Sequence, residues 1–137
     1  MKKFLISFLS LFFLISLCFA GCSVVTVDNK KASSISYEII EYHHLNNILR
    51  ELYDNYYEGN KRITYNDGNY TYLLVFYGKM PISGYTIKVK ELYSTDSNIV
   101  LDTTLIGPSK EETNAGKESF PAVVIKIKAS DKTIIFK

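Results

Sequence analysis

Arg62-Ile63-Thr64-Tyr65-Asn66-Asp67-Gly68-Asn69-Tyr70-Thr71-Tyr72-Leu73-Leu74-Val75-Phe76-Tyr77 reads as two strands joined by a tight reversal. Asp67-Gly68 supplies residues that tolerate positive φ, which a short hairpin turn demands. In the second arm Tyr70, Tyr72, Leu74 and Phe76 take one face, and Leu73, Val75 and Tyr77 take the other. A strand apolar on both faces needs cover on both, so it belongs at the centre of a sheet.

Alternation continues on either side of this hairpin. Ile35, Tyr37 and Ile39 alternate with Ser36 and Glu38, which predicts a first strand there. Downstream, Tyr85, Ile87 and Val89 alternate with Thr86, Lys88 and Lys90. Ile99, Leu101 and Leu105 are set against Asp102 and Thr104, and Val123, Ile125 and Ile127 against Lys126 and Lys128. These three strands are wet on their outer faces. A last run, Thr133 to Phe136, is placed to pair after a turn over Ala129 to Lys132.

Between the first strand and the hairpin the period changes. Leu45, Ile48, Leu49, Leu52 and Tyr56 recur at helical spacing, Arg50 and Glu51 fall on the other side, and Gly59 is a suitable stop. Such a stripe has to cover something, and a sheet is the available surface. The resulting class is α+β and β-rich: a mostly antiparallel sandwich or partial barrel of about six strands with one amphipathic helix.

The N-terminus reads as an export signal. Lys2 and Lys3 precede an apolar run from Phe4 to Phe19, slightly short of the roughly 20 residues that span a bilayer. The run ends in Phe19-Ala20-Gly21-Cys22, which resembles the box that a bacterial lipoprotein peptidase cleaves, with Phe19 where Leu is usual. That resemblance implies a signal peptide over 1–21 and a covalent diacylglyceryl lipid on Cys22. Two acyl chains anchor stably where one does not, since each buried CH₂ contributes about 0.8 kcal/mol. Residues 22–34, with Asp28, Asn29, Lys30, Lys31 and several serines, read as a flexible tether, and 35–137 as a single domain. The expected location is the extracytoplasmic face of the cell membrane, with the membrane engaged through the lipid.

Cysteine and charge counts narrow the function. Cys18, inside the leader, is the only other cysteine, so a lipidated mature chain has no thiol for a disulfide, a zinc site or a nucleophile. Lys+Arg number 16 and Asp+Glu 14. Since Lys2 and Lys3 are the leader's only charges, the cleaved chain is neutral, without the basic excess a nucleic-acid partner needs. A catalytic constellation is not found either. His43 and His44 are neighbours, and adjacent helical positions point about 100° apart, badly placed for one shared metal. Glu111 and Glu112 are adjacent on one loop and do not face across a cleft as glycoside chemistry requires. No Gly-x-Ser-x-Gly turn or phosphate-cradling glycine loop is present. The sequence thus reads as a non-enzyme with no cofactor beyond the lipid and no metal.

Tyr72-Leu73-Leu74-Val75-Phe76-Tyr77-Gly78-Lys79-Met80-Pro81-Ile82-Ser83-Gly84-Tyr85-Thr86-Ile87-Lys88-Val89 resembles the core of the protease complex subunit PrcB C-terminal domain family. That family shows an apolar strand, Gly, a short Pro-containing loop, Gly-Gly-Tyr and an alternating strand. Ser119-Phe120-Pro121-Ala122-Val123-Val124 is similar to its second landmark, a Thr-Tyr-Pro entering an apolar strand. The resemblance covers roughly residues 62 to 128, with Ser83 in place of the first paired glycine and Ile82 where a small polar residue is usual. It implies a part in assembling or stabilising an extracellular protease complex.

The residues themselves allow two readings of the loop. Lys79, Met80, Pro81, Ile82, Ser83, Gly84 and Tyr85, with Phe120 and Pro121, form a rigid surface for a protein partner, or Met80 and Ile82 fold under to plug the sandwich. Gly107 to Ser119 is a long polar connection, read as a solvated loop or a partner-binding one. An alternative function is inhibition, because the Met80 to Tyr85 loop resembles, through Pro, Gly and Tyr alone, the Asn-Pro-Thr-Thr-Gly-Tyr loop of chagasin-like cysteine-protease inhibitors.

Overall fold

The computed structural model describes residues 33–109 and 116–137. The leader, Cys18, Cys22, the tether up to residue 32, and Glu111 and Glu112 in the long loop lie outside these residues.

Two four-stranded sheets form, ordered β1-β5-β6-β8 and β2-β7-β4-β3. Their strands are β1 (Ser33–Ser34), β2 (Glu38–Ile40), β3 (Asn60–Asn66), β4 (Tyr70–Tyr77), β5 (Thr86–Ser94), β6 (Asn98–Ile106), β7 (Ala122–Lys128) and β8 (Thr133–Phe136). Among the described residues one α-helix, α1 (Asn47–Tyr56), follows a 3₁₀ turn over Tyr42–His44. The sheets stay separate, so the fold is a sandwich rather than a partial barrel.

The hairpin forms as its residues dictate. Gly68 takes φ 95°, and the Asp67 carboxylate accepts from the Asn69 N–H at 2.9 Å, the Tyr70 N–H at 2.7 Å and the Tyr72 hydroxyl at 3.1 Å. These donors favour the ionised form and hold the Asp67 carboxyl below its ordinary range, the Tyr70 amide most of all. Register then runs from Asn66 opposite Thr71 to Asn60 opposite Tyr77.

Both faces of β4 are buried, and each meets a different layer. Leu73 and Val75 pack with Leu92, Ile99, Leu101, Val123, Ile125 and Ile127 between the sheets. Tyr72, Leu74 and Phe76 pack with Leu45, Leu49 and Val124 beneath the helix. The molecule is therefore three layers, sheet on sheet on helix, with β4 and β7 central in the middle one. Burying each such aliphatic side chain contributes roughly 1.5–3 kcal/mol, so these two strands hold both interfaces.

Several expectations are corrected. The predicted first strand is two: β1 pairs with β5 in one sheet, and β2 pairs with β7 in the other. The crossing between sheets leaves Tyr37 and Ile39 exposed, turns Ile40 inward and starts the pairing at Ser33, inside the stretch assigned to the tether. Eight strands form among the described residues. The last strand pairs with β6 and runs parallel to it, because the chain after β7 crosses to the other sheet instead of folding back. On α1, capped by the Asn46 side chain accepting from the Leu49 N–H at 2.9 Å, Ile48 and Tyr56 face solvent. Leu45, Leu49, Leu52, Tyr53 and Tyr57 form the packed stripe. Among the described residues no helix is long and apolar enough to cross a membrane.

Candidate functional site

The two separated landmarks meet. Met80 and Ser119 form an isolated antiparallel bridge, Met80 N–H to Ser119 O at 2.8 Å and Ser119 N–H to Met80 O at 3.1 Å. The Ser119 hydroxyl donates to the Ile82 carbonyl at 2.7 Å, and the Tyr77 N–H donates to the Pro121 carbonyl at 3.1 Å. Lys79 Nζ lies 2.6 Å from Glu118 Oε1, on the exposed rim. Five links thus weld Tyr77–Ile82 to Glu118–Pro121 in one ridge.

Within it, Lys79, Pro81 and Gly84 are exposed, Met80, Ile82, Ser83, Tyr85 and Phe120 are half-buried, and Pro121 is buried. Neither loop reading holds alone: Pro81 is at the surface, while Met80 and Ile82 are partly tucked in. Positive φ falls on Gly78 at 77° and Gly84 at 93°, and no other residue type carries it among the described residues. Ser83 therefore needs no left-handed backbone, and the departure from the Gly-Gly pattern is accommodated at Gly84.

Phe120 carries the ridge onto the helix. Its ring stands edge-on to Tyr57, centroids 5.1 Å apart; Tyr57 stacks with Tyr53 at 6.2 Å, and Tyr53 meets Tyr42 edge-on at 5.1 Å. Together with Asp54 these four rings line an open groove of about 670 Å³. The Tyr42 hydroxyl donates to both Asp54 oxygens, at 2.9 and 3.1 Å, and the Tyr57 hydroxyl donates to Glu58 Oε1 at 3.0 Å. Those carboxylates raise the pKa of Tyr42 and Tyr57, and burial raises that of Tyr53. All three phenols stay neutral at physiological pH, leaving Asp54 as the only charged lining residue among those described.

The sequence reading missed this groove. Tyr53 and Tyr57 follow Leu49 at i, i+4 steps, a spacing that signals the groove, but Tyr56 is an equally apolar candidate for the same stripe. A second correction concerns Glu41, His43 and His44. Their ligand atoms lie within 4.8 Å of one another and the two imidazole centroids are 4.0 Å apart. The histidines sit on a 3₁₀ turn whose exposed side chains bend together, so neighbours that diverge along a helix converge here.

A β-sandwich closed on one face by a helix, presenting a backbone-locked ridge beside an aromatic groove, defines a β-rich module. Residues 71–128 match the family model described as PrcB C-terminal, so the chain carries a PrcB C-terminal-like domain. That family is of the non-catalytic accessory kind and relates to protease complexes. The match runs from β4 to the end of β7, taking in the whole ridge. No curated protein and no solved structure matches the chain.

Proposed function

We propose that this protein is a membrane-anchored surface lipoprotein whose domain is a non-catalytic docking module. Its ridge, Lys79 to Tyr85 with Phe120 and Pro121, receives a protein partner, and the matched family favours a component of an extracellular protease complex. The observation that carries the reading is the Met80–Ser119 bridge, which joins both landmarks of the matched segment into one surface. A ridge held by backbone hydrogen bonds is ordered before binding, so little conformational entropy is lost on docking. Cys22, ahead of the domain, supplies the membrane through its lipid.

The test is in-cell photo-crosslinking of the full chain from position 81, at the exposed tip, against position 88 on the outer face of the other sheet. One stoichiometric partner from 81 and none from 88 is the expected result. Failure to recover any protein from 81 overturns the docking reading. The inhibitor reading of the Met80 to Tyr85 loop separates in the same preparation. Unchanged hydrolysis by papain-type proteases at micromolar protein removes it.

A further inference from the structure

We propose that the groove of Tyr42, Tyr53, Tyr57, Phe120 and Asp54 is a cation cage that takes an arginine side chain of the docked protein partner. The inference rests on the docking reading and names the chemistry by which the partner is recognised.

Its first support is the arrangement of the rings. Tyr42–Tyr53 and Tyr57–Phe120 meet at interplanar angles of 66° and 71°. The π face of an aromatic ring is negative, so a ring that turns its face to the groove attracts a cation held within about 6 Å of its centroid. Donation from the Tyr42 and Tyr57 hydroxyls to carboxylates adds electron density to those rings and strengthens the attraction. The chain itself shows the preference: the Arg50 guanidinium carbon lies 5.6 Å from the Tyr42 centroid, its terminal nitrogen donating to the Leu45 carbonyl at 3.2 Å.

Charge supplies the second support. Asp54 is exposed, and the single Tyr42 hydroxyl proton, shared between its two oxygens, leaves most of its acceptor sites open. Glu58 adds a second carboxylate beside Tyr57. A planar guanidinium matches both halves of such a site, since it stacks on rings and bonds a carboxylate with two parallel N–H groups. An ammonium meets only the charge.

Size and position identify the source. A volume of about 670 Å³ lies within the roughly 300–1,000 Å³ of ligand pockets and exceeds what a lone ion fills. Phe120 belongs both to the groove and to the ridge, so a chain lying along Met80–Ser119 reaches the rings with one long side chain.

Titration of the full-length chain in detergent micelles with acetyl-Gly-Arg-Gly-amide, followed by NMR of labelled Tyr and Phe rings, tests this. The expected result is shifts at Tyr42, Tyr53, Tyr57 and Phe120, with affinity at least about tenfold weaker for the neutral citrulline peptide. Asp54→Asn, at an exposed position, is expected to weaken arginine binding by about tenfold while leaving the ring spectrum folded. Phe120→Leu keeps apolar volume and is expected to weaken it further.

Equal shifts with citrulline, or tighter binding of phosphocholine than of the arginine peptide, overturn the proposal. A partner crosslinked from position 81 in a protein that shows no arginine preference would sink the cage and leave docking intact. Arginine selectivity with no partner captured would count against docking instead.

Discussion

Met80 and Ser119 exchange both of their backbone hydrogen bonds, at 2.8 and 3.1 Å, although they belong to loops separated by β5 and β6. The exchange makes each loop a brace for the other. It also places the Ser119 hydroxyl under the Ile82 carbonyl, which has moved partly out of water. Ser119→Ala removes that donor and is expected to cost about 1 kcal/mol in denaturant unfolding. Faster hydrogen exchange at the Met80 amide, with β4 unchanged, is the local signature. Unaltered exchange would show that the bridge holds without the hydroxyl.

Gly78 and Gly68 both have positive φ, but only one is crowded. A Cβ on Gly78 would lie 3.2 Å from the Glu58 carbonyl oxygen and 3.3 Å from the Asn60 nitrogen, whereas nothing lies within 4 Å of one on Gly68. Gly68→Ala is expected to cost about 1–2 kcal/mol for left-handed backbone alone. Gly78→Ala adds roughly 1–3 kcal/mol of overpacking against backbone that cannot swing aside. Denaturant midpoints that rank the two in the opposite order would contradict this.

Leu73 and Leu74 are both fully buried neighbours on β4, facing different layers. Each Leu→Ala change is expected to cost roughly 2–5 kcal/mol. The location of the loss differs: Leu74→Ala should speed hydrogen exchange in α1, and Leu73→Ala in β5 and β6. Identical exchange maps would refute the three-layer packing.

Asp67 gives the hairpin a pH dependence. Its folded pKa lies below its unfolded one, so the stabilisation is complete above the unfolded value and is lost as pH falls through the folded value. Below about pH 4 the wild type should lose hairpin stability that Asp67→Asn never had, and the two unfolding curves should converge. A constant gap between them down to low pH would exclude the mechanism.

Cys22 carries the localisation proposal. Cys22→Ala should abolish incorporation of radiolabelled palmitate and release or mislocalise the protein. Persistent labelling would overturn the anchor.

Strands were legible wherever solvent touches one face, since the alternation of Lys88, Lys90, Lys126 and Lys128 with apolar neighbours marks inside and outside residue by residue. The turn at Asp67-Gly68 was legible because its chemistry is local. The helix was legible as a helix but its buried face was misjudged, because Ile48 and Tyr56 are as apolar as Leu52 and Tyr53. Only the position of β4 and β7 beneath the helix decides which pair is covered.

Sequence by itself determined the β-rich class, the hairpin, the central place of β4, and the two short segments of the ridge. Each of these depends on contacts between near neighbours in the chain or on a solvent boundary that every residue feels. Tertiary structure alone decided that the first strand divides between sheets, that β8 runs parallel to β6, and that Met80 meets Ser119. It alone also brought Tyr42, Tyr53, Tyr57 and Phe120 around one groove. Those arrangements rest on pairings between distant residues, whose backbone groups are identical in every residue and whose partners are selected only when the layers close.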